Sequence, residues 1–239
     1  MGESHMKETL AELKEKSQGR SSQEILEYFL QVYKGRIALA SSLGLEDQVL
    51  TDLVLKINPG TGIFVLDTGR LPQETYELME ETMKKYHMNY DVYFPEWSAV
   101  EQMTRQFGPN LFYKSSELRQ KCCQIRKVEP LRRALKDLKV WITGLRREQD
   151  RNRARTETIE WDETNELIKV NPLNAWSLEQ VWQYIRENGA PSNKLHDQDY
   201  PSIGCSPCTR AVRPGEELRA GRWWWEDQEK KECGLHVYK

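Results

Sequence analysis

Five cysteines carry the chemistry most visible in this 239-residue chain: adjacent Cys122 and Cys123, the pair in Cys205-Ser206-Pro207-Cys208, and Cys233 near the C-terminus. Four soft ligands in two close pairs suit one thiophilic centre, since thiolate sulfur selects zinc, copper(I) or iron–sulfur clusters over hard cations. The Cys-x-x-Cys pair serves zinc and iron–sulfur centres alike. Cys122-Cys123 discriminates more, because neighbouring side chains point in different directions on a helix or strand and rarely converge on one tetrahedral ion. The separate iron corners of a cubane suit such a pair better. The plain alternative is that some of these thiols are merely buried, free cysteine being among the most buried residue types.

Cys233 is different. It lies among Lys230, Lys231, Gly234 and His236, a poor setting for a core residue. Nearby positive charge favours thiolate, which is the nucleophile. Upstream, Arg213, Arg219 and Arg222 accumulate ahead of Trp223-Trp224-Trp225. Basic side chains near a sulfur nucleophile suit an anionic electrophile. The tryptophan run reads as packing for the terminal segment.

These groups need a scaffold, and the hydrophobic patterning supplies one. Ser22 reads as the N-cap of a helix from about Gln23 to Tyr33, after a charged helix over Glu8 to Lys16. Arg36 to Ala40 is the first strand. It ends in Ser41-Ser42-Leu43-Gly44 before a helix over Glu46 to Lys56 with Val49, Leu50, Leu53 and Val54 at helical spacing. Gly62 to Leu66 is a second strand, closed by Asp67-Thr68-Gly69-Arg70 ahead of a helix over Pro72 to Tyr86; Asn89 to Phe94 is a third. Val140 to Thr143 is a fourth, ending in Gly144-Leu145-Arg146-Arg147. Strands alternating with helices predict an α/β fold, a largely parallel sheet covered on both faces. Ligands of such sheets bind outside the carboxyl ends of the strands, where the three polar turns lie. The turn after Ser42 offers a helix N-terminus for an anion. After Thr156 the pattern changes to two short antiparallel strands, Thr158 to Trp161 and Leu167 to Val170. A helix capped by Ser177 follows, and then a loop that delivers the Cys205 pair.

Composition sets the boundaries. With 30% charged residues and a net charge of −2, no basic field points to nucleic acid. No run approaches the ~20 apolar residues of a spanning helix, so no membrane role is expected. An odd thiol count without an export signal points to a reducing cytoplasm. The opening Met1-Gly2-Glu3-Ser4-His5-Met6 resembles an expression-vector remnant and is set apart from the fold. The organisation expected is residues 7–209 as the sheet and cysteine domain, with 210–239 as an arginine-rich segment and tail.

Taken together, six segments carry a resemblance. They are Ser41 to Asp47, Leu66 to Arg70, Lys121-Cys122-Cys123 with Arg126-Lys127, Gly144 to Arg147, Tyr200 to Arg210, and Glu232 to His236. The chain resembles the assimilatory adenylyl-sulfate reductases, the cluster-containing branch of the sulfonucleotide reductase family. The resemblance implies an adenine-nucleotide α-hydrolase-like sheet with a modified phosphate loop over Ser41 to Asp47, in which Ser41, Ser42 and Gly44 bind substrate, and adenosine 5′-phosphosulfate as that substrate. It implies that Cys233 attacks the sulfate sulfur, releasing AMP and leaving an S-sulfocysteine that reduced thioredoxin cleaves to sulfite. It places a 4Fe-4S cluster on Cys122, Cys123, Cys205 and Cys208, with Lys127 between cluster and substrate. It assigns Arg153, Arg219 and Arg222 to the phosphosulfate, backbone groups of Leu66, Thr68 and Gly69 to adenine and ribose, and His236 to the neighbourhood of the nucleophile.

Other readings stay open at this point. A 3′-phosphoadenosine 5′-phosphosulfate reductase, or an enzyme using both nucleotides, is one; members restricted to that substrate lack the cluster cysteines. A zinc Cys₄ binding module without catalysis is another. ATP-driven tRNA thiolation shares the fold type but wants a lysine-aspartate pair with pyrophosphatase-loop spacing, where this loop has Glu46-Asp47. Homo-oligomerisation is open.

Overall fold

The computed structural model describes residues 3–150 and 153–226. Helices α1 (Glu3–Ser17) and α2 (Ser22–Val32) precede β1 (Ile37–Ser41), α3 (Leu45–Ile57), β2 (Gly62–Leu66), α4 (Gln73–Tyr86) and β3 (Asp91–Tyr93). Then come α5 (Trp97–Phe107), α6 (Ser116–Cys123), α7 (Glu129–Leu135), β4 (Val140–Ile142), β5 (Ile159–Asp162), β6 (Leu167–Val170) and α8 (Leu178–Asn188). Helix α1 starts inside the segment that sequence reasoning set apart as a vector remnant.

The sheet runs β3-β2-β1-β4-β6-β5. Every pairing is parallel except β5 with β6. The two strands after Thr156 are antiparallel to each other, as expected, but they do not form a separate unit: Leu167–Val170 pairs in parallel with Val140–Ile142 and extends the same sheet.

Strand period sorts the core into two layers, since alternate residues face opposite sides. Leu39, Ile63, Val65, Val140, Ile142 and Val170 point to the layer made with α2, α3 and α8. Ala38, Phe64, Trp141 and Leu167 point to the other, against Leu131, Ala134 and Leu135 of α7. A third cluster lies away from the sheet and gathers Met103, Leu111, Phe112, Cys122, Cys123, Cys208 and Trp223.

Two helix ends show how local sequence fixes the frame. The cap of α2 is Ser21, one residue before the expected Ser22, because the reciprocal box needs a Glu three positions on: Ser21 Oγ accepts from Glu24 N at 3.2 Å, and Glu24 Oε2 accepts from Ser21 N at 2.7 Å. Such a cap stabilises a helix by about 1 kcal/mol. Ser22 is used elsewhere, donating to Pro172 O and accepting from Trp176 Nε1, both at 2.8 Å. At α8 the expected cap, Ser177, forms the same box with Gln180.

Candidate active site: a strand-end cleft beside a cysteine cavity

A solvent-open cleft of about 1500 Å³ lies at the carboxyl ends of β1, β2 and β4. Its walls include Ser41, Ser42 and Gly44 after β1, Leu66 at the end of β2, and Thr143 to Arg146 after β4. Arg153, Arg219, Arg222 and Lys127 also line it, together with Glu46 and Asp47.

The turn after β1 is tightly built. Leu43 adopts a left-handed conformation, φ 60°, uncommon for a residue with a branched side chain, and it is buried. Ser41 Oγ accepts from Leu43 N at 3.1 Å. Asp47 Oδ2 accepts from both Ser42 N and Ser42 Oγ, at 2.6 and 2.7 Å. The expectation that this turn offers its amides to an anion therefore holds less well for Ser42, whose N–H is already given to an internal carboxylate. Burial raises Asp47 from its ordinary 3.8 to about 6, although Ser42 and the Gly144 backbone hydrogen-bond to its charged form. A Cβ on Gly144 would collide with Asp47 Oδ1. Next to it, Glu46 Oε1 accepts from the Nε of buried Arg146 at 2.7 Å. Glu46 and Asp47 thus brace the β1 and β4 turns against each other.

Of the expected substrate residues, Thr68 and Gly69 do not line the cleft. Thr68 is fully buried; its Oγ1 lies 3.2 Å from Cys205 Sγ and its carbonyl accepts from Arg126 Nη1 at 2.5 Å. Gly69, at φ 68°, takes the left-handed conformation that favours glycine, and its N–H donates to Asp67 Oδ1 at 2.7 Å. The strand-end turn takes both residues off the cleft and brings Thr68 to Cys205, leaving Leu66 on the cleft.

Behind that turn is a second, far smaller pocket. Cys122, Cys123, Cys205 and Cys208 line it together, ringed by Arg70, Arg119, Arg126, Lys127 and Arg222. The two pairs, some 80 residues apart in sequence, therefore converge. Cys122 and Cys123 end α6, where the helix widens into a π segment over Gln124–Val128; such bulges are frequent at functional sites. The Cys205–Cys208 turn is fixed by Ser206 N donating to Arg70 O and Tyr113 Oη donating to Pro207 O. Burial raises the Cys122 thiol and pushes Cys208 up to about 12, with the other cysteines adding to the latter. Arg126 opposes this at Cys122, and Lys127 and Arg222 oppose it at Cys208. Buried thiols that resist ionisation, surrounded by cations, are donors that need a positive centre to become thiolates. Among the described residues no group of three or more His, Cys, Asp or Glu is placed to hold a metal ion. Four thiols around one pocket are the kind of donor set a thiophilic centre takes.

Lys127, Arg222 and Trp223 line both cavities and join them. The arginine-rich segment folds back on the Cys-x-x-Cys turn, with Thr209 bridged to Arg222 and Trp223 N donating to Cys208 O. A Cβ on Gly204 would collide with the Arg222 guanidinium. Arg219 pairs with Asp150 at 3.1 Å, and Arg153 Nη1 donates to Gln149 Oε1 at 2.5 Å. Trp223 is buried and Trp225 packs on Tyr113, so these two pack as read from sequence, whereas Trp224 is exposed. Cys233 and His236 lie outside the described residues.

Sequence reasoning missed several residues of the site. Asp47, Gly144, Arg146, Arg126 and Arg70 stand within matching motifs, yet nothing in their spacing singled them out. His196 gave no signal: it lines the cleft, its Nδ1 lies 2.8 Å from Tyr200 O, and burial lowers its pKa.

Comparison with known proteins adds the family. The phosphoadenosine phosphosulfate reductase domain model matches residues 36–211. An adenosine 5′-phosphosulfate reductase of Allochromatium vinosum is 50% identical over 200 residues, covering 84% of this chain and 78% of the relative. One from Burkholderia cepacia is 48% identical over 202 residues, covering 84% and 81%. Among solved structures, a phosphoadenylyl-sulfate reductase from Candida auris in a phosphate complex superposes with TM-score 0.72 at 27% identity, covering 89% of this chain and 98% of that one. The Candida glabrata FMN adenylyltransferase, at 16% identity and TM-score 0.55 over 91% of this chain and 74% of that one, shares the fold.

Proposed function

Since the chain belongs to the phosphoadenosine phosphosulfate reductase family of enzymes, we propose that it reduces adenosine 5′-phosphosulfate to sulfite and AMP, with thioredoxin as reductant, in the assimilation of sulfate toward cysteine in the cytoplasm. The observation that carries this reading is the junction of the two cavities: a strand-end cleft and a pocket of four thiols share Lys127 and Arg222.

In the proposed reaction the Cys233 thiolate attacks the sulfate sulfur. The S–O bond to phosphate breaks, its electron pair leaves with AMP, and Cys233 becomes S-sulfocysteine. A thioredoxin thiolate then attacks the Cys233 sulfur and sulfite leaves; the second thioredoxin thiol closes a disulfide and regenerates Cys233. Two electrons pass from the dithiol to the sulfonyl group, and no single-electron step is required.

Arg153, Arg219, Arg222 and Lys127 serve the first step, holding two adjacent anions and stabilising the charge that develops on the leaving phosphate. Ser41, Ser42 and Gly44 form the phosphate loop, and Leu66 shapes the nucleoside end. His236 accompanies the nucleophile. Cys122, Cys123, Cys205 and Cys208 would hold a 4Fe-4S cluster, supported by their convergence on one pocket and the surrounding cations. When bound, the cluster supplies an electrostatic element next to Lys127 rather than a redox step.

The names of relatives at about half identity favour the substrate without a 3′-phosphate. The family model and the Candida auris structure favour the phosphorylated one. Specificity constants on both nucleotides separate the two. The central test uses sulfate-labelled substrate. Wild-type protein should retain label that reduced thioredoxin releases, and Cys233→Ser should retain none; persistent labelling of that variant removes the covalent route. Iron content and a brown colour in protein purified without air test the cluster against zinc.

A further inference from the structure

Arg119 does not line the strand-end cleft and has no part in the reaction as proposed above. It is nonetheless fully buried, a rare place for a guanidinium. Three groups surround it. Its Nε and Nη2 donate to Glu226 Oε1 and Oε2 at 3.0 and 2.8 Å, its Cζ lies 4.7 Å from the Trp223 ring centre, and it lines the cysteine pocket with Cys123. The Glu226 side chain is only 4% exposed, and its N–H donates to Trp223 O at 2.9 Å. On the same turn Trp225 packs on Tyr113 and Phe112, ring centres 4.5 and 6.3 Å apart. A forked, desolvated pair of this kind fixes orientation, whatever its net stability. Cys233 follows Glu226 by seven residues, so it lies within about 24 Å of this point when extended.

We propose that the Arg119–Glu226 pair is a positioning device, mooring the start of the C-terminal segment to the helix that carries Cys122 and Cys123. Cys233 then approaches substrate from a fixed point beside the cysteine cavity. One guanidinium lines the cysteine pocket and holds Glu226, so the state of the cavity and the anchoring of the tail are linked. The inference rests on the reading of Cys233 as nucleophile.

The test uses full-length, iron-loaded protein with Glu226→Gln, which keeps volume and removes charge, and Glu226→Asp, which keeps charge. Glu226→Gln should lower kcat roughly tenfold while the Kd for AMP stays within about twofold, because only positioning is lost. Trypsin should cut after Lys230 and Lys231 several-fold faster in that variant, at unchanged iron content, and Glu226→Asp should recover part of both effects. Wild-type kcat together with wild-type cleavage in Glu226→Gln would overturn the proposal. So would a matching loss of AMP affinity, which would place the pair in support of the cleft instead. If wild-type protein forms no S-sulfocysteine, the functional reading fails, and the cleavage comparison still decides whether Glu226 anchors the tail.

Discussion

The strand-end cleft is walled by turns that each leave the sheet directly: Ser41 to Gly44 after β1, Leu66 after β2, and Thr143 to Arg146 after β4. The cysteine cavity instead draws Cys122 and Cys123 from a helix end with a π turn, and Cys205 and Cys208 from a remote loop. The first inherits its geometry from the parallel sheet, which fixes where every turn must lie. The second depends on long-range contacts between α6, the Arg70 turn and the Trp223 segment. The cleft should therefore tolerate change in the cavity better than the cavity tolerates loss of one of its own members.

The sharpest break of that contrast is Cys208→Ser. Losing one of four donors should abolish iron binding, colour and turnover, while AMP binding in the cleft falls by no more than several-fold; a variant that loses AMP binding outright would show the two regions to be one folding unit. Lys127→Ala acts at the junction. It should lower kcat by about 10²-fold, the scale of one electrostatic group at a reacting centre, with iron absorption retained. A near-normal rate with intact absorption would remove Lys127 from the chemistry.

Smaller effects separate the braces of the cleft. Gly144→Ala drives a methyl into Asp47 Oδ1 and should destabilise the fold by about 1–3 kcal/mol, measured by urea unfolding, with weaker AMP binding. Asp47→Asn tests the buried carboxylate itself. Because the folded state raises its pKa from 3.8 to about 6, the protein holds that proton more tightly than the unfolded chain does. The stability this confers is full below about pH 4 and is lost as pH rises through about 6. Asn should flatten that part of the stability–pH curve by roughly 1–3 kcal/mol; parallel curves for the two proteins would show that Asp47 does not titrate there.

The two regions also differ in how far they could be read in advance. The strands and the three polar turns were legible because period-two patterning and small-residue turns are local signals. Helices α5, α6 and α7 were not. Trp97, Val100, Met103 and Phe107 stand at helical spacing but are flanked by polar residues, and the π turn after Cys123 interrupts the period. The placement of β5 and β6 in the main sheet also escaped, since parallel pairing of β6 with β4 joins segments some 25 residues apart.

Sequence alone determined the two cysteine pairs and the odd fifth thiol, because the chemistry open to a side chain resides in its identity. It also determined the α/β alternation, because burial on a sheet face imposes a repeat of two. Tertiary structure decided that Thr68 turns toward Cys205, that Asp47 takes the Ser42 amide, and that Lys127 and Arg222 line both cavities. Those outcomes depend on which distant segments share a space and compete for the same donors, and residue spacing along the chain carries no record of that.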